Sequence, residues 1–191
     1  MFNHTHYVPI LRWKRGERIA LENLRAQHRR KMTPLLEVVP KDFAPNREGI
    51  PRAPNRVLAQ KADEVRTCWG RDPFFLDLQL LQPPLAGAKQ AHPLVVFGEE
   101  ARARQLRLVP VTGLTRSPTY QSAVASLVKT DNQGACIRVT PKDIQCATFP
   151  RDLQRLLSDL RIEPTQVDLL VDYGVIDNSS PAIERECPFD S

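Results

Sequence analysis

The sequence predicts an α/β fold built from parallel strand–helix repeats. Short apolar runs alternate along the chain with longer stretches of helical character. Strands separated by helices pair in parallel through right-handed crossovers. Two architectures satisfy this order, an open doubly wound sheet and a barrel. The stretch after the first strand holds one glycine, Gly16, where a nucleotide-binding open sheet usually has a glycine-rich turn. This favours a TIM-barrel-like fold with about six of the eight units of a complete barrel.

The repeat places each element in turn. The predicted strands cover residues 7–13, 34–39, 74–80, 106–111, 135–139 and 167–173. The predicted helices cover residues 17–31, 55–69, 94–105, 117–129 and 149–161. Ser117 and Pro118 form a helix start, with serine as the N-cap and proline at the first position. The stretches 40–54 and 82–92 are rich in proline and are predicted to be loops.

Length and composition indicate one globular domain. The chain has 191 residues, of which 41% are hydrophobic and 26% charged. We expect a single barrel-like domain over residues 1–177 and a polar tail over 178–191. No run approaches the ~18 apolar residues of a membrane span, and the N-terminus has no secretory pattern. The four cysteines are scattered without CxxC spacing, so we expect a cytoplasmic protein without disulfides.

The chain is basic, with a formal net charge of +5 and a pI near 9.2. A basic run covers residues 28–31, and such a run can contact nucleic-acid phosphates. It falls at the end of the predicted helix 17–31, where cations meet the negative end of the helix dipole. No aromatic side chains interleave with it. A solvated helix end is therefore favoured over a nucleic-acid interface.

Ionisable side chains end five of the six predicted strands. In a parallel barrel the ligand site lies at these C-terminal strand ends. Side chains two apart share a face of a strand, and this alternation places the charged residues toward the barrel mouth and apolar residues under the helices. The mouth set is Arg12 and Lys14 on strand one, Glu37 on strand two, Asp77 and Gln79 on strand three, Arg138 on strand five and Asp172 on strand six.

These residue types support two interpretations. In one, the mixed charges form an ion-pair network that fills the barrel. In the other, the residues form a catalytic or ligand-binding site, in which Glu37 or Asp77 acts as a general base and Lys14 as the electrophile. The ligand-binding residues of this site would be Arg12, Arg138 and Asp172. Adjacent carboxylates would raise the pKa of Lys14, which disfavours a Schiff base. A divalent metal on the carboxylates is disfavoured by the neighbouring cations, so we expect no metal site.

Two motifs resemble the phage-type "beta protein" family of phages and bacterial mobile elements. The first is Y-x-P-x-L-x-x-K-x-x-E-x-x-A-L, which runs from Tyr7 to Leu21. The second is P-x-x-E, which ends at Glu37 in the second strand. Of the matching positions, Lys14, Glu17 and Glu37 are the ones whose importance the resemblance implies. It also implies a short, truncated or split member of a family of longer proteins.

The resemblance implies a role in phage–host conflict or antiviral defence. Together with the charged mouth, it predicts a polar pocket for a phosphorylated or nucleotide-like ligand, with or without catalysis and with an unknown cofactor. The alternatives are a non-catalytic interaction module and a nucleic-acid-binding protein. Because strands one and six would both be open edges, we expect self-association or another polypeptide that completes the barrel.

Overall fold

The computed structural model describes residues 5–45, 48–81 and 91–174. Its strands are β1 (Ile10–Arg12), β2 (Leu35–Glu37), β3 (Phe74–Asp77), β4 (Leu108–Thr112), β5 (Ala135–Val139) and β6 (Val167–Val171). Its α-helices are α1 (Arg15–Glu22), α2 (Ala26–Arg29), α3 (Pro54–Cys68), α4 (Pro93–Ala103), α5 (Pro118–Asp131), α6 (Pro141–Gln145) and α7 (Phe149–Leu160). In these described ranges, no helix is long and apolar enough to cross a membrane.

All six strands form one parallel sheet in the order β1-β2-β3-β4-β5-β6. The sequential order contains no reversal, which rules out the doubly wound alternative. Arg138 on β5 hydrogen-bonds Glu37 on β2 at 2.7 Å. Three strand steps span ~14 Å along a sheet, so the sheet must curve for these side chains to meet. The six strands and their helices therefore form a half-barrel.

Side chains alternate between the two faces of the sheet, as the sequence predicts. The concave face carries one small apolar group below the charged residues: Leu35, Phe75, Val109, Val111 and Cys136, with Val8 and Leu170 packed against it. The convex face joins the larger core under the helices, which includes Leu36, Phe74 and Ile137. A strand period of two residues separates these sets. The same parity carries the charged strand ends onto the concave side.

The convex face of β6 departs from expectation. The alternation predicts that Leu169 and Val171, as apolar residues of this face, pack under a helix, but they are 51% and 36% exposed. Tyr173, just beyond the strand, is 61% exposed. No helix in the described ranges covers them. The predicted tail, 178–191, lies outside the described residues, as does most of the predicted loop 82–92.

The predicted helix 17–31 is two helices, α1 and α2, with a break between them. Helix α1 ends at Glu22, and its C-cap residue Asn23 donates its side-chain amide to the Ile19 carbonyl at 2.8 Å. That bond satisfies a terminal carbonyl and competes with helix continuation. The basic run 28–31 therefore does not end a long helix. Arg29 instead pairs with Asp72 at 2.9 Å and stacks over the Trp69 ring.

Helix α5 confirms the predicted start, because the Ser117 side chain accepts a hydrogen bond from the Tyr120 backbone N–H. Several short elements were not predicted, among them the following two. A 3₁₀ turn, Pro40–Phe43, lies within the predicted loop 40–54. Helix α6 follows β5 and is held by a capping box between Thr140 and Asp143.

Candidate functional site

Three carboxylates from three parts of the sheet meet at the guanidinium of Arg138. Its Nη1 donates to Glu37 Oε1 at 2.7 Å and to Asp77 Oδ2 at 2.9 Å. Its Nε and Nη2 both donate to Asp172 Oδ2, at 2.9 and 2.6 Å. Each carboxylate ends or follows a strand, so the cluster lies where the strands reach the open end of the half-barrel. We call these four side chains the mouth cluster.

Asp77 is the most deeply buried member of the mouth cluster, at 1% exposure. Besides Arg138, its Oδ2 accepts a hydrogen bond from Arg116 Nη2 at 2.8 Å. Its Oδ1 accepts the Gln79 backbone N–H at 2.9 Å and lies 3.4 Å from the Tyr120 hydroxyl. Two guanidinium groups and these donors offset the cost of burying the carboxylate. Asp77 is placed to hold the arginines in position, because it has almost no surface that a ligand could reach.

The electrostatics keep Arg138 and Asp172 charged at neutral pH. Burial acts to lower the pKa of Arg138, but its hydrogen bonds to Glu37 and Asp172 outweigh burial, so the pKa is raised. Burial acts to raise the pKa of Asp172. The hydrogen bonds from the Gly174 backbone N–H and from Arg138 outweigh it, so this pKa is lowered. Arg138 and Asp172 therefore form a lasting ion pair within the mouth cluster.

Arg12 lies at the exposed rim of the mouth cluster, and Lys14 follows it two residues later along the chain. The Arg12 side chain is 66% exposed, and its Nε lies 3.9 Å from Glu37 Oε2. Lys14 is also exposed, and no ion pair within the described ranges includes it. The structure therefore does not show the contact expected between Lys14 and a strand-end carboxylate. The buried Trp13 anchors this segment by donating its indole N–H to Glu64 at 3.0 Å.

Two site residues were missed by sequence reasoning, Arg116 and Tyr120. Arg116 lies in the loop after β4, the one strand with no ionisable residue at its end, and its side chain is only 9% exposed. Tyr120 lies in the first turn of α5, and burial raises the pKa of its hydroxyl. That hydroxyl also accepts the Leu78 backbone N–H at 3.1 Å. The loop between β4 and α5 could have pointed to them, since the ligand sites of parallel barrels are built from the loops that follow the strands.

Gly113 sets how closely the β4 loop approaches β5. A Cβ at this position would lie 2.8 Å from the backbone carbonyl oxygen of Arg138. Only glycine allows this approach without a shift of the backbone. Gly113 therefore helps to bring Arg116 against Asp77.

The arrangement has the chemistry of an oxyanion site beside a carboxylate. Arginine binds carboxylate and phosphate through paired donors, and Arg12 and Lys14 add positive charge at the surface. Glu37, with its Oε2 toward Arg12, is the carboxylate of the mouth cluster next to the rim. Arg138 occupies the space between the three carboxylates. Within the described ranges, no group of three or more histidine, cysteine, aspartate or glutamate side chains is arranged to hold a metal ion.

Comparisons with known proteins gave one result. A family model described as "Beta protein" matches residues 7–187, nearly the whole chain. A search of curated proteins and a search of solved structures each found no match.

Proposed function

The chain belongs to the Beta protein family, and from that premise and the mouth geometry we propose that it binds a small oxyanion-bearing ligand at the strand C-terminal ends. The ligand class is phosphorylated or nucleotide-like. The observation that carries the proposal is the Arg138 guanidinium, held by Glu37 and Asp77 at 2.7 and 2.9 Å beside an exposed cationic rim. A preorganised guanidinium binds an oxyanion without the entropic cost of ordering it first.

The roles divide between rim and cluster. Arg12 and Lys14 attract and contact the ligand, and Arg138 provides the paired donors. Glu37 is the group that would accept a proton from a bound substrate, since its side chain is 12% exposed and borders the rim at Arg12. Asp77 positions the arginines.

We also propose a biological setting and a partner. The setting is conflict between phage and host, which the resemblance to phage and mobile-element proteins supports. The partner is a second copy or another polypeptide that adds strands toward a complete TIM-type barrel. Strand β6 is an edge of the sheet in the described part of the chain, and Leu169 and Val171 are exposed on its convex face, which favours this association. Light scattering after size-exclusion chromatography is the measurement, and a monodisperse, cooperatively melting monomer of 21.7 kDa would contradict self-association.

Ligand binding is tested by thermal melts and calorimetry. The panel contains inorganic phosphate, nucleoside mono- and triphosphates, and uncharged nucleosides. A ligand at 100 times its Kd stabilises the fold by about 2.7 kcal/mol, a rise in Tm of roughly 5–11 °C for a chain of this size. We expect this rise with a phosphorylated compound and not with its uncharged counterpart.

Variants locate the binding. We expect Lys14→Ala and Arg12→Ala to leave the Tm of the free protein unchanged and to weaken binding about tenfold each, the effect of ~1.4 kcal/mol. Lys129→Ala is the matched control, because Lys129 is an exposed cation in the last turn of α5, at the opposite end of the half-barrel. Equal weakening by all three variants would indicate general charge attraction and contradict a site at the mouth.

Nucleic-acid binding through the basic run 28–31 stays a prediction. One cation of that run, Arg29, is engaged with Asp72 and Trp69. Strongly salt-dependent retention on DNA, lost on neutralising the run, would support it.

A further inference from the structure

The two edges of the Arg138 guanidinium have different partners. The Nη1 donor is used by Glu37 and Asp77, which end neighbouring strands β2 and β3. The Nε and Nη2 donors form the side-on edge, and both go to Asp172. A side-on guanidinium edge is the geometry in which arginine binds a carboxylate or phosphate through two parallel hydrogen bonds.

Asp172 fills this edge incompletely. A single oxygen, Oδ2, accepts both hydrogen bonds, at 2.9 and 2.6 Å. The other oxygen, Oδ1, accepts the Gly174 backbone N–H at 2.8 Å. A ligand oxyanion with two oxygens available could give each donor its own acceptor.

Asp172 is also the carboxylate of the mouth cluster whose side chain can most readily turn away from Arg138. It follows the last residue of edge strand β6, and its side chain is 19% exposed, against 1% for Asp77. Its backbone N–H is fixed to the Val139 carbonyl at 2.7 Å, so the main chain can stay in place while the side chain turns away. The Gly174 N–H and water would then satisfy the released carboxylate.

We infer that Asp172 is a resident competitor that occupies the oxyanion subsite of Arg138 in the free protein and is displaced when the ligand binds. This inference rests on the proposed function and adds its regulation. The competing carboxylate sets how strongly an anion must bind Arg138 in order to displace it. Weak or singly charged anions do not displace it, whereas a phosphoryl group with two oxygens and a higher charge does.

The test is calorimetric titration with inorganic phosphate at fixed pH and ionic strength. Asp172→Asn keeps the shape of the side chain and removes its charge. We expect it to bind phosphate about tenfold more tightly than the wild type, which corresponds to ~1.4 kcal/mol. Asp172→Glu restores the charge and should return the affinity toward that of the wild type.

Asp131→Asn is the matched control. It makes the same change in net charge and frees another arginine, Arg102, which pairs with both Asp131 oxygens at 2.9 and 3.1 Å. We expect its phosphate affinity to equal that of the wild type. An equal gain in both variants would show a charge effect and overturn the inference.

A fourth variant, Arg138→Gln, separates this inference from the proposed function. If the wild type and Asp172→Asn bind phosphate equally, and Arg138→Gln abolishes binding in both, the subsite exists but Asp172 does not compete for it. If phosphate does not bind to any variant, the proposed function fails as well. The Arg138 Nε–H signal in NMR gives a second measurement on the unmodified protein, where a saturable shift with phosphate is expected and an unchanged signal contradicts displacement.

Discussion

Replacing Arg138 with methionine removes a cation that three carboxylates share. Glu37 would lose one charge-assisted hydrogen bond and Asp172 would lose two, and Asp77 would keep only Arg116 among its cations in the described residues. Removing one partner of a buried ion pair costs about 3–5 kcal/mol. The Arg138 side chain is 19% exposed, so water can reach part of the site and we expect the lower end, ~3 kcal/mol. For a chain of this size that is a fall in Tm of roughly 6–12 °C.

The stability deficit of Arg138→Met should depend on pH in a direction that the pKa of Asp172 determines. The pKa of Asp172 is lowered in the folded state, so its stabilisation is present above the ordinary aspartate value and is lost as pH falls through the folded value. The deficit of Arg138→Met should therefore be largest near neutral pH. It should begin to shrink as the pH falls below the ordinary aspartate value of about 3.9, and it should be smallest once the pH has fallen through the lowered pKa of folded Asp172.

Urea unfolding of wild type and variant across this pH range is the measurement. Arg102→Met is the control, since it breaks a more exposed pair with Asp131 and should cost at most ~1 kcal/mol. A variant of Arg138 that is as stable as the wild type at pH 7, or a deficit that grows in acid, would refute the assigned ionic network.

Two further predictions concern the packing that supports the site. Gly113→Ala should destabilise the folded protein by about 1–3 kcal/mol, because its new Cβ meets a backbone carbonyl of β5 at 2.8 Å. Gly16→Ala in α1 is the control, since its new Cβ meets nothing within 4 Å and the change should be neutral or slightly stabilising. Equal melts for the two variants would disprove the close approach. Tyr120→Phe should cost about 1–3 kcal/mol in urea unfolding, since it leaves the buried Leu78 N–H without its acceptor; an unchanged midpoint would show that this hydrogen bond contributes nothing.

The architecture could be predicted because its signals are local. The alternation of apolar and polar residues in each strand reveals parity, and the order of strands and helices reveals parallel pairing. Parity placed Glu37, Asp77, Arg138 and Asp172 on one side of the sheet, and the structure brings these four together. The alternation within one strand does not predict how strongly the sheet curves. The contact between β2 and β5 follows from the bend of the whole sheet.

The sequence-based predictions fail where the chain leaves a regular strand or helix, because strand alternation and helical periodicity no longer apply there. Parity assigned Lys14 to the face of Arg12, but β1 ends at Arg12, and the Lys14 N–H bonds the Arg12 carbonyl at 2.7 Å as the chain turns into α1. Alternation has no meaning past that point. Arg116 depends on a loop whose path is set by Gly113. The break after α1 depends on a side-chain cap by Asn23 that hydrophobic periodicity does not register.

The most direct test of the central claim is a crystal structure of the chain with the phosphorylated compound that raises its Tm most. We predict density for the phosphoryl group within hydrogen-bond distance of Arg138 Nε and Nη2, with the Asp172 side chain turned away and Arg12 or Lys14 closing over the ligand. An unchanged Arg138–Asp172 contact with an empty mouth at saturating ligand would contradict the claim and leave the mouth cluster as a structural ion-pair network.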